Sequence, residues 1–242
     1  MALCYEKREV RPGTVTASLA GFRGEGVLGL NVTLPLKEEA FAAADVHHPR
    51  AAEAEAANTL WFDQHGRINA DNTDGHGLLG DLARVGVALR DASVLLLGAG
   101  GAARGVLGAL LAAYPARLAV MNRTPARAEA LATRYRIESL PPDRMFTQPF
   151  DVVINATSIG LTGVSELPLS PSAVGSGTAC YDMVYGSAET AFLRWAAGCG
   201  ATRRYDGLGM LVGQAAEAFR LWHGPTPNVQ PVIDFLRRRL KS

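Results

Sequence analysis

The chain is poor in the features that announce a disulfide-bonded, metal-binding, membrane or nucleic-acid protein. It has only three cysteines in 242 residues, Cys4, Cys180 and Cys199. An odd number at wide spacing suits neither a disulfide framework nor a metal site, so they read as reduced thiols in a cytoplasmic protein, with no metal expected. Lys and Arg number 24 against 23 Asp and Glu, a formal net charge of +1. That balance leaves no basic footprint for nucleic acid. No apolar run approaches the ~20 residues of a membrane helix, and Met1-Ala2-Leu3-Cys4-Tyr5-Glu6-Lys7-Arg8 lacks a signal-peptide core, so no membrane partner is expected. A hydrophobic content of 48% with 19% charged residues is ordinary for a soluble globular chain, long enough for one large or two modest domains. The expected partner is a small-molecule substrate, with monomer or homodimer left open.

A further absence is more informative. Val94-Leu95-Leu96-Leu97 reads as a buried parallel strand, and Gly98-Ala99-Gly100-Gly101-Ala102-Ala103-Arg104 follows it directly. Gly98 permits a sharp turn, Gly100 lets backbone N–H groups approach a pyrophosphate, and small Ala103 permits close helix–strand packing. The pyrophosphate is then expected on a helix N-terminus, cradled by residues 98–102. After the next strand, NAD enzymes place an Asp or Glu on the ribose 2′-hydroxyl. Beyond Leu118-Ala119-Val120-Met121 there is no acid, only Asn122, Arg123, Thr124 and, one turn on, Arg127. A guanidinium pairs with a 2′-phosphate that a carboxylate would repel, so the expected cofactor is NADP(H). Arg123 alone reads equally well as a solvated residue opening a surface helix, with Thr124 as its N-cap.

From about residue 93, strand-like runs at 93–97, 118–121, 151–154, 178–182 and 202–205 alternate with helical spacing at 101–113, 125–135 and 188–198, and Pro168-Leu169-Ser170-Pro171 breaks the chain before the fourth strand. This rhythm predicts a doubly wound parallel sheet. The first third differs, with strands expected at 4–10, 27–32, 58–62 and 67–71 around helices near 14–22 and 36–44. The expected fold is α/β, a small α/β substrate domain plus a Rossmann-type doubly wound NADP-binding domain. The division expected is 1–73 plus 209–242 for substrate and 74–208 for cofactor. A helix over 75–86 would join the two, and two more are expected from Met210 to Trp222 and from Val229 to Leu240.

Three motifs in the first third put polar residues at the ends of apolar strands: Asn31-Val32-Thr33-Leu34-Pro35-Leu36-Lys37, Ala57-Asn58-Thr59-Leu60 and Asn72-Thr73-Asp74-Gly75. A nicotinamide enzyme reducing a ketone needs a group that gives a proton to the developing alkoxide and recovers it in reverse. Lys37 and Asp74 suit that role, a carboxylate orienting an ammonium whose partial burial eases proton exchange. Asn58 and Thr33 add neutral partners for hydroxyls. Taken singly, Lys37 also reads as a surface lysine, Asp74 as a helix N-cap and Asn72 as a turn residue. Asp71 places a second carboxylate close to Asp74 in sequence.

Together with Asn155-Ala156-Thr157-Ser158-Ile159-Gly160, Asp182-Met183-Val184-Tyr185 and Gly207-Leu208-Gly209-Met210-Leu211-Val212-Gly213-Gln214-Ala215, these motifs resemble the shikimate dehydrogenase family over nearly the whole chain. The resemblance implies reversible NADPH-dependent reduction of 3-dehydroshikimate to shikimate in aromatic amino-acid biosynthesis. It implies Lys37 and Asp74 as the catalytic pair. Thr33, Asn58, Asp74 and Gln214 would contact substrate hydroxyls, with Tyr185 near the reacting ring. Thr157, Met183, Gly207 and Met210 would join the glycine turn and residues 122–124 and 127 around the cofactor, the backbone near Met210 meeting the nicotinamide amide. A quinate/shikimate dehydrogenase paralogue is the neighbouring reading. Members of the family normally begin with a further strand and helix carrying a Ser-x-Ser substrate-carboxylate anchor, whereas this sequence starts at what corresponds to the second strand. A late-assigned start is the simplest expectation, with an exposed sheet edge and apolar surface as its result. The other is a catalytically weak NADPH-binding protein with a sensor or interaction role.

Overall fold

In the computed structural model, residues 3–142, 144–157 and 169–241 are described. Of the motifs above, Ser158-Ile159-Gly160 and Pro168 lie outside them. The chain forms two compact units, Met1–Asn72 and Thr73–Ser242.

The first unit runs α1 (Val15–Gly24), β1 (Gly29–Asn31), α2 (Lys37–Ala42), β2 (Val46–His47), α3 (Pro49–Ala54), β3 (Thr59–Phe62) and β4 (Ile68–Asp71). Its strands lie in the order β1-β3-β4-β2, antiparallel except for the parallel β2–β4 pair. Val15, Leu19, Ala40, Ala51, Ala57, Leu60 and Ala70 form the core, α1 entering it through Val15 and Leu19, α2 through Ala40 and α3 through Ala51. β1 is an edge strand, and Leu3, Tyr5, Leu28 and Leu34 are exposed large apolar residues of this unit. The strand expected at 4–10 does not form. Four of its seven residues are charged and the stretch pairs with no described strand. It is tied down by side chains instead, Tyr5 Oη donating to Asn31 Oδ1 at 2.9 Å and Arg8 bridging to Glu25 at 3.1 Å. Without a ladder partner its backbone cannot meet the condition that makes a strand.

The second unit contains α4 (Asp74–Arg84), β5 (Ser93–Leu97), α5 (Gly101–Ala112), β6 (Arg117–Met121), α6 (Pro125–Tyr135), β7 (Glu138–Leu140), β8 (Val152–Asn155), β9 (Ala179–Asp182), α7 (Ala191–Gly198), β10 (Arg203–Asp206), α8 (Leu208–His223) and α9 (Val229–Lys241). Its six strands are all parallel in the order β10-β9-β8-β5-β6-β7. Counted from β5 as the first strand, this is the 3-2-1-4-5-6 order of dinucleotide-binding sheets. Successive β5 residues enter opposite cores: Val94 and Leu96 meet Leu78 and Leu107, whereas Leu95 and Leu97 meet Phe150 and Phe192. Both faces are covered, which is why these strands read as unbroken apolar runs. Residues 209–242 pack within this unit as most of α8 and as α9.

The α4–α8 contact is close because glycines meet at it. A Cβ on Gly77 would lie 2.6 Å from the carbonyl oxygen of Met210, and one on Gly209 would lie 1.8 Å from Asp81 Oδ1. A side chain at Gly77 would push against the backbone of α8, and one at Gly209 would displace the Asp81 carboxylate.

Candidate functional site

The turn after β5 has the form the sequence predicts. Gly98 sits at φ +109, a left-handed conformation that L side chains rarely adopt, and an added Cβ would stand 3.1 Å from the Ala156 backbone. Gly100 is the N-cap of α5, without a side-chain cap, and a Cβ there would meet nothing within 4 Å. The first turn of α5 carries no acid, while Ala99, Gly101 and Ala103 are buried and Ala102 half-buried. This bare, open helix N-terminus is what a pyrophosphate requires. At the expected adenosine end, Arg123 and Arg127 are exposed beyond β6, and Asn122 Nδ2 closes the turn on the Thr124 carbonyl at 2.9 Å. Thr124 holds the N-cap position of α6 but its side chain makes no capping bond. The donor set and its surroundings therefore fit an NADP-type dinucleotide.

Beside the turn, at the carboxyl ends of β8 and β9, lies a buried polar chain. Asn155 Oδ1 accepts from the Thr157 hydroxyl at 2.6 Å and from the Thr157 backbone N–H at 3.1 Å, while Asn155 Nδ2 donates to Asp182 Oδ1 at 2.9 Å. Asp182 also accepts from the Thr190 hydroxyl at 2.5 Å and the Val184 N–H at 3.1 Å. Thr190 in turn caps α7, accepting from the Leu193 N–H at 3.3 Å. Burial pushes the Asp182 carboxyl above its ordinary range, against the hydrogen bonds that favour its charged form. The result is a fixed exit from both strands. Met183 is half-buried there, and Tyr185 is 39% exposed rather than packed into the core. Gly207, expected at the cofactor, is the N-cap of α8 and donates its N–H to the Val184 carbonyl at 3.1 Å; Met210 follows within the first turn of that helix and is buried.

Within the first unit, Lys37 opens α2 and is 8% exposed, so it is not a surface lysine. Its carbonyl accepts from Ala57 N–H at 2.8 Å, which ties it to the residue before Asn58. Asn58 is buried, accepts from the Thr59 hydroxyl at 2.8 Å, and gives its carbonyl to Val32 N–H at 2.7 Å. Thr33 follows Val32 and is exposed. The Asn31–Lys37 and Asn58 motifs are thus bound together by backbone hydrogen bonds. Asp71 does not stand beside them as a bare carboxylate. Arg50 grips it bidentately, Nε to Oδ1 at 3.0 Å and Nη2 to Oδ2 at 2.6 Å, and Asp71 also accepts the Asn72 N–H at 2.7 Å. Asn72 Nδ2 donates to the Ala56 carbonyl at 2.8 Å, fixing the chain where Thr73 and Asp74 follow.

Within the second unit, Asp74 is the first residue of α4 and 4% exposed; Thr73 occupies the N-cap position. A carboxylate there also complements the helix dipole. Gln214 lies across from it on α8, its Oε1 accepting from the Thr73 hydroxyl at 3.5 Å and its Nε2 donating to the Leu211 carbonyl at 2.9 Å. The α4–α8 glycine contact thereby brings Asp74 and Gln214, 140 residues apart in sequence, to one seam. Reasoning from sequence missed Arg50, Asp81 and the linking role of Asp182. Asp182 was visible in the sequence as the start of the Asp182-Met183-Val184-Tyr185 motif and as an acid closing the apolar Ala179-Cys180-Tyr181 run, but its partners were not. Cys180 is buried, its thiol pushed up to about 12, and all three cysteines are free.

Family models match along the chain: the shikimate dehydrogenase substrate-binding domain over residues 1–60, shikimate/quinate 5-dehydrogenase over 81–165, and the shikimate 5′-dehydrogenase C-terminal domain over 207–236. The NADP(+) shikimate dehydrogenase of Colwellia psychrerythraea is 48% identical over 240 residues, covering 98% of this chain and 86% of the relative. The chain belongs to the shikimate dehydrogenase family. The corresponding enzyme of Alcanivorax borkumensis is likewise 48% identical, covering 96% of this chain and 85% of its own. Among solved structures of the family, shikimate 5-dehydrogenase from Thermus thermophilus in complex with NADP(H) and shikimate matches at a TM-score of 0.84 and 37% identity. That match covers 96% of this chain and 86% of the other. The shikimate dehydrogenase fold, with a substrate domain and an NADP-binding Rossmann-type domain, is thus the fold of this chain.

Proposed function

We propose that the chain is an NADP-dependent oxidoreductase that interconverts 3-dehydroshikimate and shikimate. Supporting this above all, the bare glycine cradle with Arg123 in place of an acid occurs in one chain with the Lys37, Asn58 and Asp74 motifs, and relatives at 48% identity are named NADP(+) shikimate dehydrogenases. When bound, the cofactor supplies a hydride to the carbonyl carbon, or accepts it in reverse. Residues 98–102 hold its pyrophosphate, Asn122, Arg123, Thr124 and Arg127 its adenosine 2′-phosphate, and Thr157, Met183, Gly207 and Met210 its nicotinamide end. Lys37 gives its proton to the substrate oxygen as that oxygen gains charge, and recovers it in the other direction. Asp74 holds the reacting hydroxyl and stabilises the ammonium form of the lysine. Thr33, Asn58 and Gln214 orient the remaining hydroxyls, and Tyr185 lies against the ring. On this reading residues 1–73 and 209–242 serve the substrate, the latter through Gln214, and 74–208 serve the cofactor, except that Asp74 and Tyr185 of that span act on the substrate and Met210 beyond it on the cofactor.

The test is shikimate-dependent NADP⁺ reduction followed by absorbance. Lys37→Ala and Asp74→Ala are each expected to lower turnover by about 100-fold or more, the usual weight of a positioned proton-transfer group. Full turnover in both would sink the pair. The shikimate/quinate description of the model matching residues 81–165 favours quinate as a second substrate, so both alcohols belong in the same assay. We read the chain as a cytoplasmic monomer or homodimer that acts on small molecules without nucleic acid or membrane. Among the described residues no helix is long and apolar enough to cross a bilayer. Sedimentation velocity distinguishes the oligomeric states.

A further inference from the structure

α8 starts without a conventional cap. Its N-cap is Gly207, which has no side chain, and Met210 occupies the third helical position, where the backbone N–H has no partner within the helix. Tyr181, a fully buried residue on the neighbouring β9 strand, packs in one core cluster with Met210. The Tyr181 hydroxyl donates onward to Asp81 Oδ2 at 2.6 Å, and Asp81 Oδ1 accepts from Arg84 Nε at 2.7 Å. Asp81 is itself buried, and it reaches this place because Gly209 has no Cβ to exclude it. Two residues before α8, Asp206 accepts from the Leu208 N–H at 3.3 Å and is clamped by both terminal nitrogens of Arg237 at 2.5 Å. The start of α8 thus lies against a carboxylate from α4 that a strand tyrosine holds in place.

We infer that Tyr181 and Asp81 are positioning residues for the nicotinamide half of the cofactor, because they set the backbone of residues 207–210. This rests on the proposed role of Gly207 and Met210 at that end. A hydride acceptor and donor must be held to a fraction of an ångström, and a backbone contact can be that precise only if its helix start is itself immobilised. No atom of Tyr181 or Asp81 needs to touch the ligand. The geometry also predicts a division: the adenosine end is held by residues 122–127, which follow β6 on the other side of β5 from β9.

The test compares three titrations on the full chain: NADPH by its fluorescence, 2′,5′-ADP as an adenosine-half probe, and thermal unfolding. Tyr181→Phe keeps the ring but removes the oxygen, leaving the Asp81 carboxylate against Gly209 without that donor. NADPH is expected to weaken by about tenfold, the weight of one buried hydrogen bond, with altered nicotinamide emission and unchanged 2′,5′-ADP affinity. Asp81→Asn, which keeps the shape of the carboxylate, is expected to move NADPH in the same direction by less. Should Tyr181→Phe fail to fold, Asp81→Asn decides alone on the same criterion. Unchanged NADPH affinity with a lowered melting temperature would overturn the inference, as would parallel weakening of both ligands. A wild-type chain that does not bind NADPH would instead overturn the cofactor reading on which it rests, whatever the variants do.

Discussion

Replacing Arg123 by alanine tests how this chain chooses its dinucleotide. The side chain is exposed at the end of β6, on a turn closed by the Asn122–Thr124 hydrogen bond, and no acid precedes it. A hydrogen bond to a charged group contributes about 1.5–3 kcal/mol. Exposure to water and salt places Arg123 near the low end, at about 1.5 kcal/mol, which is roughly tenfold in affinity. Arg127, one turn further and also exposed, retains part of the attraction, so the double Arg123→Ala/Arg127→Ala chain should fall further, toward about 100-fold. The phosphate these residues hold is remote from the reacting carbonyl. Its loss therefore removes binding common to ground and transition states, raising KM for NADPH while leaving kcat in place. NADH, which lacks the phosphate, should bind wild type and variant alike. Raising ionic strength from about 0.05 to 0.5 M should erode the wild-type advantage, because the Debye length shortens from over 10 Å toward a few ångströms. Steady-state kinetics with both cofactors at both salt concentrations measures all of this. An equal loss for NADH, or a fall in kcat without a rise in KM, would refute the 2′-phosphate role.

Gly100→Ala separates the cradle from the fold. The new methyl meets no protein atom within 4 Å, so stability should change by less than about 1 kcal/mol, the range for exchanging a glycine N-cap. NADPH affinity should nonetheless fall by about tenfold or more, since the methyl enters the space needed by the pyrophosphate; calorimetric titration beside a melting curve checks both halves. Asp182 gives a pH signature. Its carboxyl is raised in the folded chain, so the neutral form is favoured there. Stability from this group is full below the ordinary carboxylate range and declines as pH rises through the raised folded value. Urea midpoints for wild type and Asp182→Asn between about pH 3.5 and 8 should converge or cross as this component is lost from the wild type. A pH-independent difference would contradict it.

The sheet of the second unit was legible residue by residue because its physics is local. A strand covered on both faces must be apolar throughout, and the runs within β5, β6, β8 and β9 are. β7 was not legible, since Glu138-Ser139-Leu140 buries only Leu140 and becomes a strand by pairing with β6. Nor were β2 and α3, which are two and six residues long. The segment 4–10 erred the other way: it has the look of a strand, but a strand is defined by its partner.

By itself the sequence pointed to the cofactor, through a glycine turn followed by a second strand with no acid after it, and to the reaction class, through motifs that together resemble one enzyme family. It also determined the parallel sheet, through apolar runs at regular spacing. The tertiary structure decided which polar residues support those positions. Arg50 neutralises Asp71, Asn155 and Thr190 hold Asp182, and Tyr181 reaches Asp81 only once β9 lies beside α4. Buried polar groups must find partners wherever the fold brings them, and those partners lie from 1 to 141 residues away in the sequence. No spacing along the chain encodes such a pairing.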